Sequence, residues 1–455
     1  MSFLVFNLTL IGTGLLGFLL EKIPYRFFAV ANALYALYLF ARKPFFNLVL
    51  LGRHGVHLVL DDLSTCFLLL TAVVFLAVYT TEMEGHLPQL LTVTLGVLNL
   101  MFVSNDLFNI YVILEILSIL SVLLVIEGRK LVQYWSALKY IVLSSVGMNL
   151  YLIGTAIIYS NNATLSISQV EKVNQIAVGL ILAGVLVRTG VFLFGVWLPD
   201  VHSEAETAVS AVLSGVMVKT GVYALLRLWP LFDWNVLKPF ALLSIPMGAL
   251  LALFSRDYKR ILAYSTISHL GAILISPISA PIYSLSHAVS KSWLFLLKEE
   301  LPDRDVSNWR ELSFSRWFPL ILASLSIMGL PGLAGSAKTL VLENLGDFEK
   351  FFLEAFFAVS MAPFWRFLFK TPVRREKLTL KTRDILLLAT SLTVGITFFK
   401  FEKVLENLLV ILAGLPIFLI FDRYRIECRF IEKLDVSLSL YSALVVIACL
   451  CSLLY

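Results

Sequence analysis

Long apolar runs recur along this chain from one end to the other, separated by short polar connections. They predict helices near 3–20, 27–41, 62–80, 88–104, 106–126, 134–160, 175–198 and 208–229. Further helices are predicted near 238–255, 259–276, 281–298, 317–345, 351–369 and 384–399. Two more apolar runs, near 404–421 and 435–455, bring the total to fourteen to sixteen spans. A bilayer core is crossed by about 20 residues of apolar helix. Backbone groups left unpaired in lipid cost several kcal/mol each, so the runs must form helices or a closed barrel. They are continuous rather than alternating, which excludes the barrel. The fold class is therefore an all-α integral membrane protein. The longest polar connection is KEELPDRDVSNWRELSFSR, so no soluble domain is expected.

Two spans are interrupted. The seventh ends in TGVFLFGVWLPDVH and the twelfth contains MGLPGLAGSAK, with Arg188 and Lys338 beside the respective breaks. Paired broken helices five spans apart point to inverted repeats around an ion site at mid-membrane. Glycine and proline are also common in membrane helices for no such reason. The expected organisation is an N-terminal helical region at 1–87, repeats at 88–230 and 231–370, and C-terminal helices at 371–455.

Composition agrees with the pattern. Of 455 residues 59% are hydrophobic and 15% charged, against about 25% charged in soluble domains. The net charge of +5 is carried by cationic loops, with no basic stripe interleaved with aromatics, so nucleic acid is not an expected partner. Lys22 and Arg26, Arg129 and Lys130, Arg256, Lys259 and Arg260 follow odd-numbered spans, as do Lys298, Arg304, Arg310 and Arg316. Arg374, Arg375, Lys377, Lys381 and Arg383 do the same. The positive-inside bias then puts the odd loops in the cytoplasm and the N-terminus outside, in a prokaryotic plasma membrane. The start, MSFLVFNLTLIGTGLLGFLL, reads as a retained first span. Cys66, Cys428, Cys449 and Cys451 sit in or beside apolar segments and are read as packing residues, without a disulfide or metal site.

Charges kept inside the spans carry the functional signal, because each costs at least about 2.5–3.5 kcal/mol at the bilayer centre. Glu115 lies well inside the fifth span, Arg188 in the seventh and Lys219 in the eighth. His287 and Lys291, four residues apart, share a face of the eleventh. Lys338 follows the twelfth-span break, Lys139 begins the sixth span, and His269 lies in the tenth. Desolvated lysines and carboxylates exchange protons and, with water between them, make a relay. A structural ion pair is the alternative for Glu115, Lys219 and Lys291. Arg188 keeps its proton, so it acts electrostatically, pairs with Glu115, or clamps helices. Lys139 and His269, nearer helix ends, serve snorkelling or packing as well as transport. Asp257, Lys259 and Arg260 read as a solvated loop. Asp200, His202, Glu204 and Glu206 in WLPDVHSEAE read as an aqueous intake rather than a metal site. No motif for phosphate binding, redox cofactors or hydrolysis occurs in a suitable setting.

The runs NDLFNIYVILEILSILSVLLV and ALKYIVLSSVGMNLYLIG, followed in order by VWLPDVHSEAETAVSAVLSGVMVKTGVYALLR, SRDYKRILAYSTISHLG, SHAVSKSWLFL and GLPGLAGSAK, resemble a known family over roughly residues 60–400. It is the antiporter-like membrane subunits of respiratory complex I, membrane-bound hydrogenases and multisubunit cation/proton antiporters. LSGVMVKTGVYALLR looks most like the type found in the antiporters and in archaeal hydrogenase-like complexes. The resemblance implies about fourteen core helices with spans 4–8 and 9–13 as inverted repeats, to which the two late apolar runs would add one or two C-terminal helices. It implies a proton or ion path through Glu115, Lys219, His287, Lys291 and Lys338. The chain departs from the family where Arg188 replaces the seventh-span lysine. Leu193 stands for a usual proline, Glu206 and Ala208 replace the prolines after WLPD, and the segment from Gly329 to Lys338 is one residue short.

Three functions follow as expectations. The first is an ion-translocating subunit, moving protons with sodium as a second candidate, of a redox-driven complex similar to membrane-bound hydrogenase or its sulfur-reducing relatives. No cofactor belongs to this chain in that reading; iron–sulfur and Ni-Fe centres would lie on a hydrophilic arm, beside other antiporter-like and small membrane subunits. The second is a subunit of a stand-alone sodium/proton antiporter. The third is a partly degenerate, non-pumping scaffold.

Overall fold

The computed structural model describes residues 2–424 apart from 21–22, 51–54, 310, 344, 370–372 and 375. The apolar run at 435–455, Cys428, Cys449, Cys451, Lys22, Arg310 and Arg375 lie outside the described residues.

The first half comprises α1 (Ser2–Leu16), α2 (Tyr25–Arg42), α3 (Asp62–Val78), α4 (Leu87–Met101), α5 (Leu107–Ile126) and α6 (Leu131–Asn162). The seventh span is α7 (Gln175–Thr189) and α8 (Leu198–Glu204); the eighth is α9 (Thr207–Val212), a π-helical turn (Leu213–Met217) and α10 (Val218–Leu228). The second half continues with α11 (Lys238–Phe254), α12 (Tyr258–Leu274) and α13 (Ala280–Leu297). The twelfth span is α14 (Phe314–Met328) and α15 (Lys338–Glu343), followed by α16 (Asp347–Phe369), α17 (Thr382–Thr397) and α18 (Val404–Tyr424). Among the described residues, six helical stretches are long and apolar enough to cross a membrane on their own: 107–126, 131–162, 207–231, 234–254, 347–369 and 401–422.

Local chemistry sets the helix ends. Side chains of Asp61, Asp106 and Asp257 accept the amides of Ser64, Asn109 and Arg260 at 2.9, 2.6 and 2.9 Å, satisfying donors that the first helical turn leaves free. Small residues let helices meet closely: a Cβ on Gly184 of α7 would lie 2.4 Å from the Gly147 carbonyl of α6. Asn99 donates to Asn7 at 2.8 Å and Asn32 at 2.7 Å, tying α4 to α1 and α2 through groups too polar to leave in lipid.

The fold is not purely α. Phe46–Val49 pairs antiparallel with His57–Leu60, and Leu312–Ser313 pairs parallel with Val373–Arg374. The first ribbon comes from four-residue strands too short to cross the membrane; they pair with each other, and the second also pairs with the segment after α4, where the Val59 amide donates to the Val103 carbonyl at 2.7 Å.

Both predicted breaks are present. In the seventh span Gly190 (φ 76°) and Leu193 (φ 75°) adopt left-handed backbone. In the twelfth, Gly329 (φ 101°) and Gly332 (φ 87°) do so. A Cβ on Gly195 would stand 2.2 Å from the Gly190 carbonyl, so the first break closes on itself where only glycine fits.

Candidate proton path

Lys219 sits just beyond the π-helical turn, fully buried. The wider turn brings the Ser214 carbonyl within reach, and the Lys219 ammonium donates to it at 2.5 Å. The same Nζ lies 2.7 Å from Nδ1 of His287, so an ammonium here donates to a neutral imidazole. His287 and Lys291 stand on one face of α13, as their spacing predicts. Lys291 donates to the Leu262 carbonyl at 2.8 Å and to the Ser265 hydroxyl, both on α12. The ring of His269, also on α12, centres 5.2 Å from that of His287, and its Nδ1 bonds the Tyr283 hydroxyl at 2.7 Å.

Lys338 opens α15 just after the twelfth-span break. Its ammonium donates to the Met328 carbonyl at 3.2 Å, which the broken helix leaves without an amide, and lies 4.6 Å from the centre of the Phe357 ring. That ring is 6.1 Å from His269. Lys219, His287, His269, Lys291 and Lys338 therefore gather around α12 and α13. His269 joins the group, where the sequence left packing and transport equally open.

The first half is arranged differently. Arg188 is buried, donates to Ser118 at 3.0 Å and lies 5.6 Å from the centre of the Tyr140 ring. Glu115 is half-buried on α5, and no ion pair within 4.0 Å joins it to Arg188 among the described residues. The direct pairing allowed for them is thus not made, because the Ser118 hydroxyl, one turn along α5, takes the guanidinium instead. An aromatic series leads from Arg188 towards α13: Tyr140 to Trp197 at 4.6 Å, Trp197 to His202 at 6.2 Å, and His202 to Phe295 at 6.0 Å. His202 is fully buried in this series.

The acidic stretch at the end of α8 is closed by ion pairs. Asp200 accepts Lys139 at 2.7 Å and Arg260 at 3.2 Å. Lys139 thus spends its charge on α8 rather than snorkelling. Arg304 grips Glu204 bidentately at 2.9 and 3.0 Å and Asp257 at 2.7 Å. Two carboxylates sharing one guanidinium are fixed in place rather than free to draw in water. Glu206 is exposed. Lys259, read as part of a solvated loop, is buried instead: it donates to the Ala205 carbonyl at 2.6 Å and the Ser210 hydroxyl at 3.0 Å. The C-terminal carbonyl of α8 needs a donor there, and Lys259 supplies it.

Sequence reasoning missed the neutral partners Ser214, Ser265 and Tyr283, since hydroxyls in apolar runs are too common to single out. It also missed Arg227, which binds Asp61 through both Nη atoms at 2.7 Å. The spacing of Lys219, Tyr223 and Arg227, one turn apart each, is the signal that marks them as a single face.

Residues 104–362 match the family described as NADH:quinone oxidoreductase/Mrp antiporter, TM. Over 210 residues the chain is 34% identical to NADH-quinone oxidoreductase subunit N of Azoarcus sp. (strain BH72), a stretch covering 42% of this chain and 43% of that relative. The chain is thus aligned to less than half the length of that curated relative. A subunit of the archaeal membrane-bound sulfane sulfur reductase superposes with a TM-score of 0.78 at 21% identity, over 91% of this chain and 97% of that one. A subunit of respiratory complex I from Thermus thermophilus gives 0.77 at 22% identity, over 90% and 99%. At these identities the superpositions show a shared fold.

Proposed function

Because this chain belongs to the NADH:quinone oxidoreductase/Mrp antiporter transmembrane family, we propose that it is the ion-translocating membrane subunit of a redox-driven complex. The observation that carries this reading is the line of buried basic groups from Lys291 and Lys219 through His287 and His269 to Lys338. Adjacent desolvated bases discharge one another, because a proton arriving on one raises the cost of a proton on the next. A charge entering at one end of such a line therefore moves protons along it. His287, within hydrogen-bond reach of Lys219, is the next base for the transferred proton, while the Ser214 carbonyl and the Ser265 hydroxyl hold the two ammonium groups in place.

The Azoarcus relative's name, an NADH-quinone oxidoreductase subunit, supports a redox-driven assembly over a stand-alone antiporter. Electron transfer then takes place on partner chains carrying iron–sulfur or Ni-Fe centres, in a hydrophilic arm docked beside other antiporter-like subunits. The paired breaks support residues 88–230 and 231–370 as inverted repeats. In the second repeat lysines and histidines carry protons. In the first, Arg188 supplies a fixed positive charge that biases Glu115 without exchanging a proton. Sodium remains the second candidate ion, and a prokaryotic plasma membrane the location.

The test is to isolate the complex through a tag on this chain, reconstitute it in liposomes, and record proton and sodium uptake separately. Uptake triggered by an electron donor and abolished by Lys291→Ala supports the proposal. Uptake driven only by an opposing cation gradient favours the stand-alone antiporter. Uptake indifferent to Lys291→Ala favours the scaffold.

A further inference from the structure

The face of span eight that carries Lys219 continues, one turn apart each, to Tyr223 and Arg227 near the end opposite the cationic loops. By the charge bias of the loops that end faces outside. Water following this face from Lys219 would reach the exterior directly, bypassing the histidines.

The structure stops it with two stacked layers. Phe67 of α3, Phe102 after α4 and Tyr223 form a closed triangle, with ring centres 5.2–5.4 Å apart, and all three side chains are fully buried. Above them Arg227 is held at every nitrogen. Nε donates to the Tyr223 hydroxyl at 2.8 Å, Nη1 to Asp61 at 2.7 Å, and Nη2 to Asp61 and to the Ser64 hydroxyl, both at 2.7 Å. Asp61 is partly exposed, whereas Arg227 is 9% exposed. A guanidinium does not release its proton at any working pH, so it cannot relay one. Fixed across any such route, its charge repels an approaching hydronium, while the aromatic layer below excludes water.

We propose that Arg227, Asp61 and the Phe67–Phe102–Tyr223 layer form the outer plug of span eight, forcing protons on Lys219 to leave sideways through His287. This rests on the proton-carrying reading of Lys219. Arg227 is a positioning residue: it relays no proton and denies one a route. Replacing Arg227 and Asp61 together by neutral amides removes the charge without leaving a lone buried ion.

The test uses the whole complex in liposomes loaded with a pH dye, with an imposed pH gradient and no electron donor. Arg227→Gln combined with Asp61→Asn is expected to raise passive proton leak about tenfold, within the range that fixed charge in a narrow cleft exerts on ion access. Adding Lys219→Met is expected to remove the extra leak. A second variant, Phe102→Ala, keeps the ion pair and opens the aromatic layer, and gives the same result by the other route. Leak unchanged in both variants overturns the plug. Leak that rises but survives Lys219→Met overturns it too, since it then reflects damaged packing. Driven transport by Lys219→Met alone reports separately on the proton-carrying reading: if that variant still pumps, the failure lies there rather than in the plug.

Discussion

Replacing Lys219 by methionine separates transport from stability. The side chain is fully buried and makes two polar contacts, to the Ser214 carbonyl at 2.5 Å and to His287 at 2.7 Å. Methionine has a similar length and leaves no void. The carbonyl and the imidazole nitrogen lose a partner, at about 1–3 kcal/mol each for a buried group. Against this, an ammonium no longer has to be held away from water, which relieves several kcal/mol. The two terms are of similar size and opposite sign, so the thermal midpoint of the assembled complex should move by only a few degrees.

Transport should not survive. Without the ammonium, a proton bound for His287 loses its preceding carrier and meets at least the roughly 2.5–3.5 kcal/mol of an unsupported charge at mid-membrane. At about 1.4 kcal/mol per tenfold, that slows passage roughly 100-fold. Lys219→Arg is the companion: it keeps the charge but does not give up its proton, so it should also stop transport. Proton uptake by liposomes holding each variant, normalised to assembled complex, is the assay. Uptake above half of wild type in a folded Lys219→Met complex refutes the reasoning. If instead Lys219→Arg pumps normally, Lys219 acts as a fixed charge rather than as a carrier.

Gly195→Ala should lower the thermal midpoint of the detergent-solubilised protein, because the added carbon would lie 2.2 Å from the Gly190 carbonyl; a loss of about 1–3 kcal/mol is expected for overpacking, and an unchanged melting curve would contradict the tight break. Arg188→Gln should also destabilise by about 1.5–3 kcal/mol through loss of its charged bond to Ser118 and, by removing the fixed charge beside Glu115, lower proton uptake, as uptake assays can verify. His57, in the ribbon of Phe46–Val49 and His57–Leu60, bonds Ser166 at 2.8 Å and Asn47 at 2.6 Å; burial first and then Arg227 hold its pKa below the ordinary 6.5. The unfolded chain then takes up a proton that the folded ribbon refuses, so His57 stabilises above about pH 6.5 and this contribution fades as pH falls below it. Melting curves across that window should flatten in His57→Gln.

Much of the fold was legible because membrane helices announce themselves by length and apolarity. Where prediction and structure part, the backbone has done something that a run of apolar letters does not encode. The 175–198 span ends its first helix at Thr189, since Gly190 and Leu193 turn left-handed before Leu198 begins the next helix. The ribbon at Phe46–Val49 and His57–Leu60 looks as apolar as a span but is too short for one. The site divides the same way. Lys219, Lys291, His287 and Lys338 stood out because their cost in lipid is large whatever surrounds them. Which partner each one meets depends on how helices face, and that is a property of packing. Lys259 was misread for this reason: its neighbours Arg256, Asp257 and Arg260 make a charged string, and only the fold turns one of the four inward, to the end of α8.

The two breaks make the asymmetry between the halves physical. In the twelfth span glycines occupy the left-handed positions, and Lys338 lies so near Gly329 that a Cβ there would stand 3.2 Å from its Cδ. That break is unstrained and has a cation able to exchange a proton. In the seventh span leucine takes a left-handed conformation at position 193, at about 1–2 kcal/mol, and the adjoining Phe192 amide is pinned to the Ser244 hydroxyl at 2.9 Å. Its cation is an arginine tied to Ser118. Strain of this kind persists only where surrounding contacts hold it in place. A pinned break with a charge that is never released suits a stationary electrostatic reference, while a relaxed break beside a lysine suits a site that loads and unloads. Under the proposed function, the departure from lysine to arginine at position 188 divides the labour between the two halves rather than abolishing it.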